Sequence, residues 1–349
     1  MSKLYMINDT HLGVRRQSGT TPESRAALSE FMYQQFSHLL ALAQGNDLMI
    51  LGDLFDCYQV SKKDEIRVYQ LLSQWQRDNP QQRLILVAGN HDLSRNSKDI
   101  SSFENLCTYL THQSHHGTQI VMGEIGYLPE YRTAIVPHLP NQALFDDAIE
   151  SLFSLPDLAY VCLHCNYDNH FAQQSDHSLN LSAEVAQRFA QQHTHLIFAH
   201  EHQQRDFNHV HIIGNQIPSS IADCLGNTSK RLAYLENNEL HYQTVLTLSE
   251  LYSEHDWQND TLPHTPFIRL TGTAEYEQAA EVIQRIAHIR KQSSAWVVSN
   301  AVQIGTLTSE THLPSLESLD VQHMVTQALP PALTQRFQEV VQFSELKSS

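Results

Sequence analysis

Five short apolar runs in this chain each end on residues that bind metals or move protons. Leu84-Ile85-Leu86-Val87-Ala88 leads into Gly89-Asn90-His91-Asp92, Leu4 to Ile7 into Asp9 and His11, and Leu48 to Leu51 into Asp53. Ala159 to Leu163 leads into His164, and Leu196 to Ala199 into His200 and His202. Runs this short and aliphatic read as buried strands, so the polar residues gather at strand carboxyl ends, where open α/β sheets bind their ligands. Asp, Asn and His collected there predict a metal centre. Asp53 is its natural middle, because each oxygen of one carboxylate can take a cation. Asp9 and His11 are two apart, as are His200 and His202, so on an extended backbone each pair points to one side. Glu201 then points away. Asn90 offers a neutral amide oxygen to a metal, and the adjacent His91 is left to protonate a departing phosphate-ester oxygen.

Other histidines and cysteines carry less. His112, His115 and His116 lie in a polar stretch without a strand-end context and read as solvated surface residues. Cys162 and Cys165 have the spacing of a redox pair, but Asn166-Tyr167-Asp168-Asn169 does not look like the helix start such a pair needs. Two buried thiols flanking a metal-binding His164 is the better reading.

The elements that must hold these residues follow from periodicity. Leu28, Phe31, Met32, Phe36, Leu39, Leu40 and Ala43 give one apolar helical stripe over Pro22 to Gln44, ended by Gly45. A second helix is predicted over Lys63 to Arg77. Asn237-Asn238 between two alternating runs predicts a hairpin, which closes a large domain over residues 1–248. Residues 249–265 turn polar and broken and read as a linker. A small βαβ-like unit follows from 266 to 326, and the 327–349 tail carries Leu333, Phe337, Val340, Val341 and Phe343 as an amphipathic docking segment.

At 349 residues, two domains are the expectation. The sequence holds no apolar stretch long enough for a membrane and no leader at Met1, so the expected location is cytoplasmic. The five cysteines lack a framework spacing, which predicts reduced thiols. With 22 Lys and Arg against 38 Asp and Glu, the net charge of −16 argues against a broad basic surface, though two bound divalent ions would neutralise several of the negative charges and a partner subunit could supply the basic surface.

Together, Asp9-x-His11, Gly52-Asp53, Gly89-Asn90-His91-Asp92, His164 and His200-x-His202 resemble the calcineurin-like metallophosphoesterase superfamily in order and strand context. Ala199 departs from the family's usual glycine at that position. Asp9-Thr10-His11-Leu12-Gly13 and Gly52-Asp53-Leu54-Phe55-Asp56 are most similar to SbcD-type DNA repair and recombination nucleases, phage exonuclease subunits included. The superfamily's protein phosphatases carry Arg-Gly after the second aspartate, where this chain has Cys57-Tyr58. The resemblance implies a four-layer αββα sandwich with a small α+β capping domain. It also implies that Asp9, His11, Asp53 and His202 hold one divalent ion, and Asp53, Asn90, His164 and His200 a second. Such mixed ligands suit manganese, with iron or zinc as alternatives. The implied activity is DNA phosphodiester hydrolysis with His91 as proton donor, in a homodimer working with an SbcC-like ATPase. A small-molecule phosphodiesterase with the same metals is the alternative, and a catalytically silent ATPase scaffold a third.

Overall fold

Strands buried on both faces read as continuous aliphatic runs, and the computed structural model, which describes residues 3–14, 21–94, 99–113, 117–169, 178–261 and 263–305, places those runs in two sheets. The first has β1 (Leu4–Ile7), β2 (Asp47–Leu51), β3 (Leu84–Val87) and β4 (Thr118–Val121) in parallel. The hairpin β13 (Ser229–Glu236) and β14 (Glu239–Thr247) adds to it antiparallel beside β1. Asn237 and Asn238 make its two-residue turn at φ 54° and 62°, the mirror-image turn that suits the right-handed twist of paired strands.

The second sheet runs β11 (Arg205–Phe207), β12 (Val210–Ile212), β10 (His195–Ala199), β7 (Tyr160–His164), β6 (Thr133–Val136) and β5 (Gly126–Leu128). Its four inner strands are parallel and its two edge strands antiparallel. A short ladder, β8 (Asn166–Tyr167) with β9 (Asn180–Leu181), stands past the end of β7.

Alternation along each strand divides the core into layers. Leu4, Met6, Met49, Leu51, Ile85 and Val87 meet Ile135, Cys162 and Ile197 between the sheets. Tyr5, Ile7, Leu48, Ile50 and Leu86 face outward onto α1 (Pro22–Leu42), α2 (Lys62–Asp78) and α3 (Ser102–Gln113) through Phe36, Leu40, Leu72, Trp75 and Phe103. Val161, Leu163, Leu196 and Phe198 face α4 (Gln142–Leu152) and α5 (Ala183–Gln191) through Phe145, Ile149 and Phe189. The architecture is helix, sheet, sheet, helix, as the resemblance implied. It brings the carboxyl ends of β1, β2, β3, β7 and β10 to one rim.

The 249–265 stretch is not a plain linker. Within it, β15 (Tyr252–Asp256) pairs in parallel with β16 (Phe267–Thr271), which pairs with β18 (Val297–Asn300). β15 is an edge strand burying only His255, so it lacks the apolar signature that marks an inner strand. α6 (Ala279–Gln292) covers this small sheet with Val282, Ile286 and Ile289. The two-residue β17 (Thr273–Ala274) and β19 (Gln303–Ile304) pair beside it. Phe267 and Val297 share the buried cluster of α1, and the Trp296 ring lies against Phe31 at 4.9 Å, tilted by 44°, so the small unit packs into the large core. His115, His116 and the proposed docking segment at 327–349 lie outside the described residues. Among the described residues, no helix is long and apolar enough to cross a membrane.

Candidate metal centre

Every ligand the sequence predicts reaches the common rim. Asp9, His11 and His202 form one group of converging ligand atoms, and Asp53, His164 and His200 another, each within 4.8 Å. Asn90 completes the second: its Oδ1 is 3.1 Å from His164 Nε2 and 3.0 Å from His200 Nδ1. Asp53 stands between the groups, with Oδ2 3.3 Å from His164 Nε2 and 4.0 Å from His11 Nε2. His11 Nε2 in turn faces His202 Nε2 at 3.1 Å. His91 lies at the exposed edge, its ring against His11 at 4.9 Å, and it also falls within ligand range of His11 and Asp53.

The local backbone differs from the extended pairs expected. Asp9, His11, Asp53 and His200 have φ of 48°, 44°, 50° and 76°, the left-handed region that non-glycine residues rarely occupy. Hydrogen bonds from Asp9 N to Gly52 O and from His11 N to Asp53 O, both 3.1 Å, hold the turns together. The side chains converge because the chain coils at each strand end, not because alternate residues of a strand share a face. Strain of about 1–3 kcal/mol per such residue persists only where surrounding structure fixes it, and it clusters at functional sites.

A family model for calcineurin-like phosphoesterases matches residues 2–204, more than half of the chain and every one of these ligands. The chain belongs to that family. No curated protein matches it in a sequence comparison. Among solved structures, an archaeal phosphodiesterase overlaps 69% of this chain and 99% of its own at 13% identity and a TM-score of 0.32. A cold-active protein-tyrosine phosphatase of a psychrophilic Shewanella species overlaps 70% and 80%, also at 13% identity, with a TM-score of 0.34.

The polar contacts of this calcineurin-like centre fit cations. His164 Nδ1 donates to Leu51 O at 3.2 Å, which leaves Nε2 facing the oxygens of Asp53 and Asn90. A bare nitrogen lone pair against two oxygen lone pairs is repulsive, so the position calls for a proton or a metal. With a proton, burial pulls His164 down but Asp53 holds it up at about 9, while Asp53, against the same burial, is held well below the usual carboxylate range by His164. A divalent cation supplies positive charge in the proton's place once the proton leaves. Asp9 Oδ2 accepts from Asn8 Nδ2 at 2.6 Å and His200 N at 2.9 Å, but its Oδ1 is buried without a partner. A buried carboxylate oxygen left so is costly and suits a metal ligand.

Reading the sequence missed the groups behind the ligands. Asp223 Oδ1 accepts from His202 Nδ1 at 2.6 Å, turning the bare Nε2 toward His11. Ser219 N and Ser220 N, each 2.8 Å away, hold Asp223 Oδ2. The buried Lys230 ammonium donates to Asn215 Oδ1 at 2.6 Å and to His202 O at 3.3 Å. Asp92 accepts from Gly89 N, Leu54 N and Phe55 N at 3.0, 3.3 and 3.1 Å, tying the β2 and β3 loops together. Burial and the nearby Asp53 push its carboxyl up to about 7. Asp223 is far from the ligands in sequence, so only a test of every buried acid could have found it. Asp223→Asn should weaken metal binding by about ten- to hundredfold, as loss of an outer carboxylate partner does, measured by competition with a chromogenic chelator.

Cys162 and Cys165 are buried, unbridged and have thiols pushed up by burial, Cys162 to about 12. They are packing residues, as the sequence suggested. Glu201 points away from the ligands: it accepts from Tyr167 N at 2.8 Å and pairs with Arg205.

Proposed function

We propose that this calcineurin-like phosphoesterase is a DNA nuclease of the SbcD type, hydrolysing phosphodiester bonds in DNA repair or recombination. The observation that carries the hydrolytic part of the reading is His91, which stands exposed beside the ligand cluster with Nδ1 donating to Asp56 O at 2.5 Å. That bond fixes the tautomer and leaves Nε2 to exchange a proton with the departing sugar oxygen. Asp9, His11, Asp53 and His202 would hold one cation and Asp53, Asn90, His164 and His200 the other, manganese suiting the set, with iron or zinc as alternatives. Bound there, the ions supply Lewis acidity to phosphoryl oxygens and lower the pKa of water.

Cys57-Tyr58 after Asp56 supports a diesterase over a protein phosphatase, and the motif spellings support the SbcD type. The acidic balance of the chain, a net charge of −16, favours the second reading, a small-molecule phosphodiesterase. In the nuclease reading, an SbcC-like ATPase supplies the basic surface and the chain works as a homodimer. End-labelled linear DNA incubated with protein, manganese and a co-expressed ATPase partner tests this. The expected result is cleavage that stops with EDTA. Hydrolysis of a small phosphodiester with DNA left intact would overturn the nuclease reading in favour of the second.

A further inference from the structure

Behind Asp9, the amide side chains of Asn8 and Gln216 form a closed polar pair. Asn8 is 0% exposed, Gln216 1% and Asp9 0%, so water does not reach them. Polar groups this deep must satisfy one another, and the donor and acceptor end of each amide can be followed from one fixed group.

That group is the Asn8 backbone N–H, which can only donate. It donates to Gln216 Oε1 at 3.0 Å, which turns Gln216 Nε2 toward Asn8 Oδ1 at 2.8 Å and Gly214 O at 2.9 Å. With its oxygen taken, the Asn8 amide must present nitrogen on its other side. Nδ2 donates there to Asp9 Oδ2 at 2.6 Å and to Gly214 O at 2.9 Å. Asp9 Oδ2 accepts a second bond from His200 N at 2.9 Å, and Oδ1 is left as the buried oxygen without a partner.

We propose that Gln216 is a positioning residue for the metal centre. By setting which way the Asn8 amide faces, it holds Asp9 as a one-oxygen ligand and, through His200 N–H, keeps the ends of β1 and β10 together. The assignment rests on the two-cation reading and holds whether the substrate is DNA or a small phosphodiester. With the Asn8 amide reversed, its oxygen would meet Asp9 Oδ2 with no proton between them. Away from water that contact is repulsive, so the carboxylate would turn and its free oxygen would leave the ligand group. Gln216→Glu, nearly isosteric, imposes this reversal. It keeps the acceptor for Asn8 N–H but puts an oxygen where Nε2 stood.

The test is manganese affinity, by competition with a chromogenic chelator, for the wild type, Gln216→Glu, Asn8→Ala and the double variant. Each single variant should bind about ten- to hundredfold more weakly, the usual cost of losing a partner behind a metal ligand. If Gln216 acts through Asn8, the double variant should be no worse than Asn8→Ala. Thermal unfolding in EDTA separates the roles, because a merely structural Gln216 would lower the Tm of the metal-free protein and leave the affinity of the folded protein unchanged. Where Gln216→Glu does not fold, Gln216→Met, which also removes the donor to Asn8 Oδ1, takes its place with the same expectation. Wild-type affinity in either folded single variant, or additive losses in the double, would overturn the assignment. A wild type that binds no manganese would overturn the two-cation reading and the assignment with it.

Discussion

Replacing Gly89 with alanine should lower phosphodiester hydrolysis by about a hundredfold or more, because a misplacement of about 1 Å costs that much in a preorganised site. A Cβ at Gly89 would stand 2.2 Å from Asp53 Oδ1 and 2.3 Å from the Asp53 backbone nitrogen. No rotamer relieves a clash with backbone, so the β2 and β3 loops must part. Asp53 then shifts from the middle of the cluster, and His91, whose backbone N–H donates to Asp53 Oδ1 at 2.9 Å, shifts with it. The strands themselves are held by ladders that Gly89 does not join, so far-ultraviolet circular dichroism should match the wild type. Wild-type turnover in Gly89→Ala would show that the close approach of these loops is not what sets the site.

His91→Ala should lower kcat by about 10²–10⁴, the usual contribution of a positioned general acid, with bound metal unchanged. The loss should shrink when the leaving group is p-nitrophenolate, which departs without protonation. His91 also lies within ligand range of His11 and Asp53, so the variant separates two roles. A fall in metal content together with activity, equal for good and poor leaving groups, would make His91 a ligand and not the proton donor.

Much of this was legible in the chain because parallel strands buried on both faces have to be aliphatic and the site has to follow them. Leu84 to Ala88 followed by Asn90 and His91 states a strand and its chemistry in one stretch. Asp9 with His11, and His200 with His202, nonetheless do not converge by the strand alternation that their spacing suggests. Their convergence comes from left-handed turns at Asp9, His11 and His200; Asp and His enter that region more readily than most residues, but their spacing does not say which of them do. β15 was hidden because edge strands need no continuous apolar run. Asp223 and Lys230 were hidden because a buried ionic group gets its role from a partner distant in sequence. Asp223 serves His202 across 21 residues, and Lys230 reaches that residue's carbonyl across 28.

The most direct test is calorimetric titration of manganese into EDTA-stripped protein, with Asp53→Asn beside the wild type. Among the described residues, Asp53 is the only carboxylate placed between the two ligand groups, so the account predicts two sites per chain in the wild type and the loss of both in the variant. One site or none in the wild type, or two undiminished sites in Asp53→Asn, would contradict it.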